Sequence, residues 1–369
     1  MNAATEPTTS RLGVALSMLT LVRGGMGGSE TYARALTEQL ADRDDVDASV
    51  FLTEASRGFS RGIPEEIVPG VHAGGSTVDR LRTVAGLQLH ARSIRRRFDA
   101  FDVVHYPFTV PAPKPGPRQA TVQSLLDIQH LELPELFSRA ELQYRKPFYE
   151  GFARRADAIV TISQFAKDGM VERLGLDPER IFVAYLGVDT TRFVPYDGPR
   201  ENFVLYPARG WPHKNHARLF EAMKIARRTN PELTLVLTGG GLDTLTDVPE
   251  FADRRGLVSD EELRDLYGRA GAMVFPSLYE GFGLPPLEAM ASGCPVATSD
   301  SGSLPEVVGD AAVVFDPRDP DAIAAGILSA LDRSDELSAA GVEHARSFTW
   351  ERCRDVHLEA YRFAHEHRR

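Results

Sequence analysis

Cysteine is scarce in this chain: Cys294 and Cys353 are the only two among 369 residues. Two thiols cannot supply a disulfide framework or a cysteine-built metal cluster. Long apolar runs are missing too, since none approaches the ~20 residues that a membrane-crossing helix needs. The opening segment MNAATEPTTSR has no basic stretch leading into an apolar one. A secretory leader is therefore not expected, and the segment reads as a frayed tail before the first strand. Together these absences set the expectation of a cytoplasmic protein. Positive charge is also in deficit, with 42 Lys and Arg against 52 Asp and Glu and a formal net charge of −10. That balance argues against a protein devoted to nucleic acid, although local basic surfaces remain open to it.

What is present is the composition of a folded protein, 43% hydrophobic and 25% charged, long enough for two or three domains. Short β-rich runs alternate with helical patterns, which favours parallel sheets covered by helices on both faces. In the first half, strands are expected at Leu12–Ser17, Ser49–Thr53, Asp102–His105, Ala120–Leu125 and Ala158–Ile162, with a helix from about Ser29. The proline-rich loop Pro107–Pro117 interrupts them. Gly187–Asn202, with Pro195, Gly198 and Pro199, reads as an interdomain linker. The alternation then restarts at Phe203–Tyr206, Thr234–Thr238, Ala272–Phe275, Pro295–Ala297 and Ala312–Phe315, and a final helix is expected at Trp350–His367. The expected organisation is a first α/β domain over 1–190, a second over 191–350, and a terminal segment over 351–369.

One segment stands apart. From Asp79 to Phe98, Leu81, Val84, Leu87, Ala91, Ile94 and Phe98 recur at helical spacing, and Arg92, Arg95, Arg96 and Arg97 crowd its end. Two readings stay open: a solvated helix end with favourable C-terminal charge, or a basic amphipathic surface for anionic lipid.

Open α/β sheets bind ligands beyond the carboxyl ends of their strands, so the loops there carry the functional argument. The turn Gly24-Gly25-Met26-Gly27-Gly28-Ser29-Glu30 opens a helix, where glycines let backbone N–H groups approach an anion. Its spacing departs from the dinucleotide fingerprint, which sets aside a nicotinamide oxidoreductase. Arg209 and Lys214 flank a proline-containing turn, and an arginine fork with a lysine point charge suits a diphosphate. Gly239-Gly240-Gly241 permits close backbone approach or simply a tight turn. The most informative stretch is Pro276 to Met290. Glu280 precedes the glycines Gly281 and Gly283, and Glu288 falls in the first turn of the helix that Pro285–Pro286 begins. Two carboxylates so placed can accept hydrogen bonds from vicinal hydroxyls, while N–H groups between them hold oxygens of a phosphate or sugar. Asp127 and His130, after a strand of the first domain, are polar candidates for the facing wall. The acidic runs Asp42–Asp47 and Asp316–Asp321 read as solvated loop or helix-start charge, and no metal site is assigned.

With these residues in view, the sequence resembles the family 4 glycosyltransferases, the large retaining class built on the GT-B fold. The likeness is strongest in EGFGLPPLEAMASGCPVATSDSGSLPEV and extends through ADAIVTISQFAKDGM, YLGVDTTRF and YPARGWPHKNH. It implies a GT-B architecture, two Rossmann-like domains facing a central cleft, with the last helix crossing back to the first domain. It implies Glu288 on the donor ribose and Glu280 on the sugar hydroxyls. Phe282, Gly283 and Leu284 would supply backbone contacts, Arg209 and Lys214 would neutralise the leaving diphosphate, and Gly27–Gly28 would approach the same phosphates. Gly239 joins the donor set. The implied substrates are a nucleoside-diphosphate sugar and a glycan or lipid-linked acceptor, with no resident cofactor. The WPHKN turn and the Asp-x-Gln-His segment look like those of many mannosyltransferases of polysaccharide assembly, which favours GDP-mannose over UDP-hexoses. One departure stands: relatives often carry a His before the residue matching Asp127, where this chain has Leu126. Either His130 takes over that contact or the pocket handles the sugar differently. A nucleotide-sugar epimerase or hydrolase, and a silent nucleotide-sugar sensor, remain alternatives.

Overall fold

The computed structural model describes residues 11–74, 77–114 and 116–368. Residues 1–10 of the expected tail, and Pro115 of the proline-rich loop, lie outside the described residues.

Among the described residues, thirteen strands form two sheets, and every pairing is parallel. The first contains β1 (Leu12–Ser17), β2 (Val46–Thr53), β3 (Glu65–Val68), β4 (Val103–Tyr106), β5 (Ala120–Ser124), β6 (Ala158–Thr161) and β7 (Ile181–Val183), in the order β3-β2-β1-β4-β5-β6-β7. The second contains β8 (Glu201–Pro207), β9 (Thr234–Thr238), β10 (Ala252–Gly256), β11 (Ala270–Phe275), β12 (Val296–Ser299) and β13 (Val313–Phe315), in the order β10-β9-β8-β11-β12-β13. Central strands such as β4 and β11 are buried at every position, as a sheet covered on both faces requires. In each sheet the winding reverses beside the first strand, between β1 and β4 and between β8 and β11. That reversal opens a crevice at the carboxyl ends.

Three strands had no counterpart in the sequence reading: β3, β7 and β10. All three are sheet edges. β3 contains Glu65 and Glu66, β10 contains Asp253, Arg254 and Arg255, and β7 has only three residues. Short or charged edges resist pairing with other chains, and the same features erase the apolar signal.

The Asp79–Phe98 segment is two helices, Thr77–Leu89 and Ala91–Phe98, broken at His90. Val84, Leu87, Ala91, Ile94 and Phe98 face the core, but Leu81 is exposed. The basic cluster is also divided. Arg95 donates to the Lys114 carbonyl at 2.7 Å, and Arg97 donates to the Ile67 carbonyl at 3.0 Å and pairs with Glu66. Arg92 and Arg96 are exposed.

The last helix, Trp350–Glu366, follows the second sheet in sequence yet packs on the first. A buried polar network seats it. The Tyr32 hydroxyl lies 2.7 Å from both the Ser124 hydroxyl and His357 Nε2. His105 Nε2 is 2.7 Å from the same serine, and Tyr361 meets His105 Nδ1 at 2.8 Å. Burial pushes His105 well below the usual histidine range and His357 down to about 4, so both rings are neutral near pH 7. Every polar group in this ring has a partner, so burying it costs little.

Candidate active site

The two sheets turn their carboxyl ends toward one cleft of about 830 Å³, lined by both domains. On the first-domain wall, β1 leads into the glycine turn. Gly27 has φ of 55°, a left-handed conformation that favours glycine, and Gly28 begins the helix Gly28–Ala41. Both line the cleft, and the Gly24 N–H is held by the Glu30 carboxylate at 2.8 Å. After β5, Asp127 also lines the cleft, and its Oδ1 accepts the Gln129 N–H at 3.1 Å.

His130 corrects the sequence reading. It does not line the cleft; Gln129 does. The short helix Gln129–Glu132 rotates successive side chains by about 100°. His130 consequently points inward, 2% exposed, with its ring edge-on to Tyr149 at 5.8 Å. Burial and the nearby Arg145 lower it to about 4; neither ring nitrogen makes a hydrogen bond, and Nε2 lies 3.5 Å from Glu150 Oε1. Buried outside the cleft lining, the ring is not placed to take over the contact of a histidine at Leu126.

On the second-domain wall, β8 ends in the turn that carries Arg209 and Lys214. The Arg209 guanidinium lies 5.2 Å from the Trp211 ring centre. Lys214 closes the turn Pro212–Lys214, and Asn215 follows with φ of 63°. The Asn215 amide locks this geometry by donating to the carbonyls of Pro276 and Pro317 at 3.0 and 2.8 Å. Lys214 Nζ meets Glu280 Oε1 at 2.5 Å, and both side chains are largely shielded, at 12% and 14% exposure. The loop bearing Glu280 is anchored from below by the buried Ser303, whose N–H and hydroxyl reach the Glu280 carbonyl and whose hydroxyl also reaches that of Phe282.

The glycines of this loop have different reasons to be there. A Cβ on Gly281 would press on Asp127 and Leu126, since the two walls touch at that point. Gly283, with φ of 118°, turns the chain into the helix Leu284–Ala291. The Phe282 ring packs beside Tyr185 and Phe348, which leaves its main chain beside the cleft with Gly283 and Leu284. Glu288 also lines the cleft, and Tyr267 donates a hydrogen bond to its Oε2 at 3.2 Å. Burial dominates and raises Glu288 to about 7, against the opposing pull of Tyr267 and Arg192.

Gly239 is the second correction. It is absent from the cleft lining, and its N–H donates to the Gly256 carbonyl at 2.7 Å. A Cβ there would strike the Ala208 carbonyl, so close packing against the Arg209 turn accounts for this glycine. Sequence reasoning missed Trp211, His213, Tyr279, Arg145 and Tyr149, all of which line the cleft. Trp211 and His213 sat between two chosen cations and could have been included. Arg145 and Tyr149 lie in a segment with no local motif, and only tertiary folding brings them in.

Among the described residues, no group of three or more His, Cys, Asp or Glu could hold a metal ion. No helix among them is long and apolar enough to cross a membrane.

Comparison with known proteins agrees with this geometry. Residues 26–192 match the family model described as Glycosyltransferase Family 4, and residues 189–348 match Glycosyl transferases group 1. The chain is 33% identical over 269 residues to O-antigen chain mannosyltransferase B of Escherichia coli, covering 66% of this chain and 70% of that protein. It is 32% identical over 216 residues to an MMP alpha-(1->4)-mannosyltransferase of Mycolicibacterium hassiacum, where it spans about half of either chain, 54% and 52%. In fold it is similar to the Anabaena HepE protein solved with UDP and glucose, with a TM-score of 0.71 at 19% identity, covering 95% of this chain and 99% of that one. The two facing sheets are thus a GT-B fold, and the chain belongs to the family 4, group 1 glycosyltransferases.

Proposed function

We propose that the protein transfers a hexose, with mannose favoured, from a nucleoside-diphosphate sugar to a hydroxyl of a glycan or lipid-linked acceptor, with retention at the anomeric carbon. The observation that carries this reading is the second-domain wall, where Arg209 and the Lys214–Glu280 pair line the same cleft as Glu288. Similarity to two mannosyltransferases supports the choice of sugar.

In this reading Glu288 accepts hydrogen bonds from the donor ribose, and Glu280 from the sugar hydroxyls. The main chain of Phe282, Gly283 and Leu284, with the Gly27–Gly28 turn opposite, holds diphosphate oxygens. The acceptor hydroxyl oxygen forms the new bond to the anomeric carbon on the face the diphosphate leaves. The electron pair of the breaking bond goes to the diphosphate, which takes the acceptor proton. Negative charge grows on that leaving group, and Arg209 and Lys214 are positioned to stabilise it without a resident cofactor. Asp127, on the opposite wall, orients the sugar. Measuring turnover with GDP-mannose, UDP-glucose and UDP-galactose, and reading the product's anomeric configuration by NMR, tests donor and stereochemistry together. An epimerase or hydrolase would give the same product with and without acceptor.

Arg209→Ala and Lys214→Ala should each lower kcat by about 10²–10³-fold while changing donor KM much less, because the charge they meet develops in the transition state. Wild-type kcat in either variant at saturating donor would remove that residue from the role.

Glu288 generates a pH prediction. Only the ionised carboxylate is acceptor-only toward two ribose hydroxyls. Donor affinity should therefore weaken as pH falls through about 7, and Glu288→Gln should bind weakly with little pH dependence. Stability moves the opposite way. The folded state keeps the proton to higher pH than the unfolded chain, so stability without ligand declines as pH rises from the usual glutamate range through about 7. Calorimetric titration and thermal melts from pH 5.5 to 8.5 read both trends, and a flat wild-type profile in both refutes the assignment.

A peripheral contact with anionic membrane at the cytoplasmic face is part of the proposal. It rests on exposed Arg92 and Arg96 beside exposed Leu81 and Leu89, since Arg95 and Arg97 are engaged within the fold. Co-sedimentation with vesicles should rise with anionic lipid, fall with salt, and drop in Arg92→Gln/Arg96→Gln. Binding indifferent to lipid charge would leave those arginines as a solvated helix end.

A further inference from the structure

The cleft lining includes two further cations, on its first-domain wall, that the proposed donor contacts leave out. On the first-domain wall, Arg145 and Arg80 line the same cavity as Arg209 and Lys214. Arg145 is restrained: its guanidinium carbon lies 4.6 Å from the ring centre of Phe137 and 4.8 Å from that of Tyr149. Ring contacts hold the group in place without consuming its five N–H donors. None of the described residues gives Arg145 an ion pair within 4 Å or accepts a hydrogen bond from it.

One candidate counter-charge is already engaged in a helix cap. Glu141, four residues before Arg145 and also on the cleft wall, accepts the Ser138 N–H at 3.0 Å and the Ser138 hydroxyl at 2.8 Å in a capping box. Both Arg145 and Arg80 act on Glu141 electrostatically, which places the two cations in one neighbourhood. The other carboxylates lining the cleft already accept hydrogen bonds: Asp127 from the Gln129 N–H, Glu280 from Lys214, and Glu288 from Tyr267.

A partly shielded guanidinium with no ion pair within 4 Å keeps its donors free for an anion, even with the Glu141 charge nearby. A nucleoside-diphosphate sugar carries its negative charge in the diphosphate alone, and the second-domain cations meet that charge. With the diphosphate met there, as the proposed transferase reading has it, Arg145 is left for an anion of the other substrate. Two guanidinium groups match a phosphate, with its multiple charge and several acceptor oxygens, better than a single carboxylate.

We propose that Arg145, assisted by Arg80, selects an acceptor that bears a phosphate group near the hydroxyl to be glycosylated. This deepens the proposed transferase reading and rests on it. Arg145 is then a specificity residue of the acceptor side. Two sources share this chemistry, the phosphate of a lipid carrier and that of a soluble sugar phosphate.

The test uses the full chain saturated with GDP or UDP, whichever binds, so that the second-domain cations are occupied. Methyl α-mannoside, mannose 1-phosphate and farnesyl phosphate are titrated by NMR into wild type, Arg145→Gln and Arg145→Lys. Wild type should bind the phosphorylated probes at least tenfold more tightly than the neutral glycoside. The gap should collapse in Arg145→Gln and survive partly in Arg145→Lys, which keeps charge but loses the planar fork. Nucleotide titration and melting temperature establish that each variant is folded. A stronger hold on farnesyl phosphate than on mannose 1-phosphate assigns the lipid source, and parity assigns the soluble one. Both results support a phosphate-bearing acceptor. Equal affinity for charged and neutral probes in wild type, or a preference that persists in Arg145→Gln, overturns the acceptor assignment. If neither nucleoside diphosphate binds wild type, the transferase reading itself fails, and the acceptor proposal with it.

Discussion

Lys214 and Glu280 meet at 2.5 Å inside a cleft that shields most of both side chains, and much of the second domain is arranged around that contact. Shielded ions gain little net stability from pairing, because desolvation offsets their attraction. Their geometry therefore has to be imposed by the fold. Asn215 pins the turn behind Lys214 to the strand ends of β11 and β13, and Ser303 pins the loop beneath Glu280. The Tyr206 hydroxyl donates to the Lys214 carbonyl from the core side. An ammonium has three donors, and Glu280 engages one, which leaves capacity for an incoming phosphate oxygen.

The cleft exists only while the two sheets stay opposed, and three kinds of contact keep them so. The chain crosses between domains twice, and the crossings run side by side: Val188 donates to the Phe348 carbonyl at 3.0 Å. The final helix is then seated on the first sheet by the Tyr32, Ser124, His105 and Tyr361 network. Across the cleft rim, Glu306 of the second domain accepts the N–H groups of Gln164 and Phe165 at 2.7 and 2.9 Å, at the start of a first-domain helix where a carboxylate is favoured. Nearby, the Ile128 N–H donates to the Tyr279 hydroxyl at 3.2 Å. The Glu306 contacts are exposed or half-buried, whereas the Ile128–Tyr279 bond and the network under the last helix are buried.

The second-domain wall was legible in the sequence because its chemistry is local. Arg209, Lys214, Glu280 and Glu288 sit just beyond apolar strands, and glycine and proline mark each turn. The first-domain wall was less legible. His130 read as a cleft residue because sequence fixes which loop a side chain occupies, but not its rotation on a one-turn helix. Gly239 read as a ligand contact because a glycine needed for close packing against Ala208 resembles one needed for a phosphate. Arg145 and Tyr149 had no signal, since helical segments distant from any strand end bring them to the cavity. Among strands, only the charged or very short edges escaped.

The central claim is that the second-domain wall recognises a diphosphate through Arg209 and Lys214. The direct measurement is calorimetric titration of GMP against GDP, and UMP against UDP, into wild type and Arg209→Ala/Lys214→Ala. The preferred diphosphate should bind wild type at least tenfold more tightly than its monophosphate, and the double variant should lose this difference while keeping its monophosphate affinity. Equal binding of mono- and diphosphate to wild type, or an undiminished preference in the double variant, would contradict it.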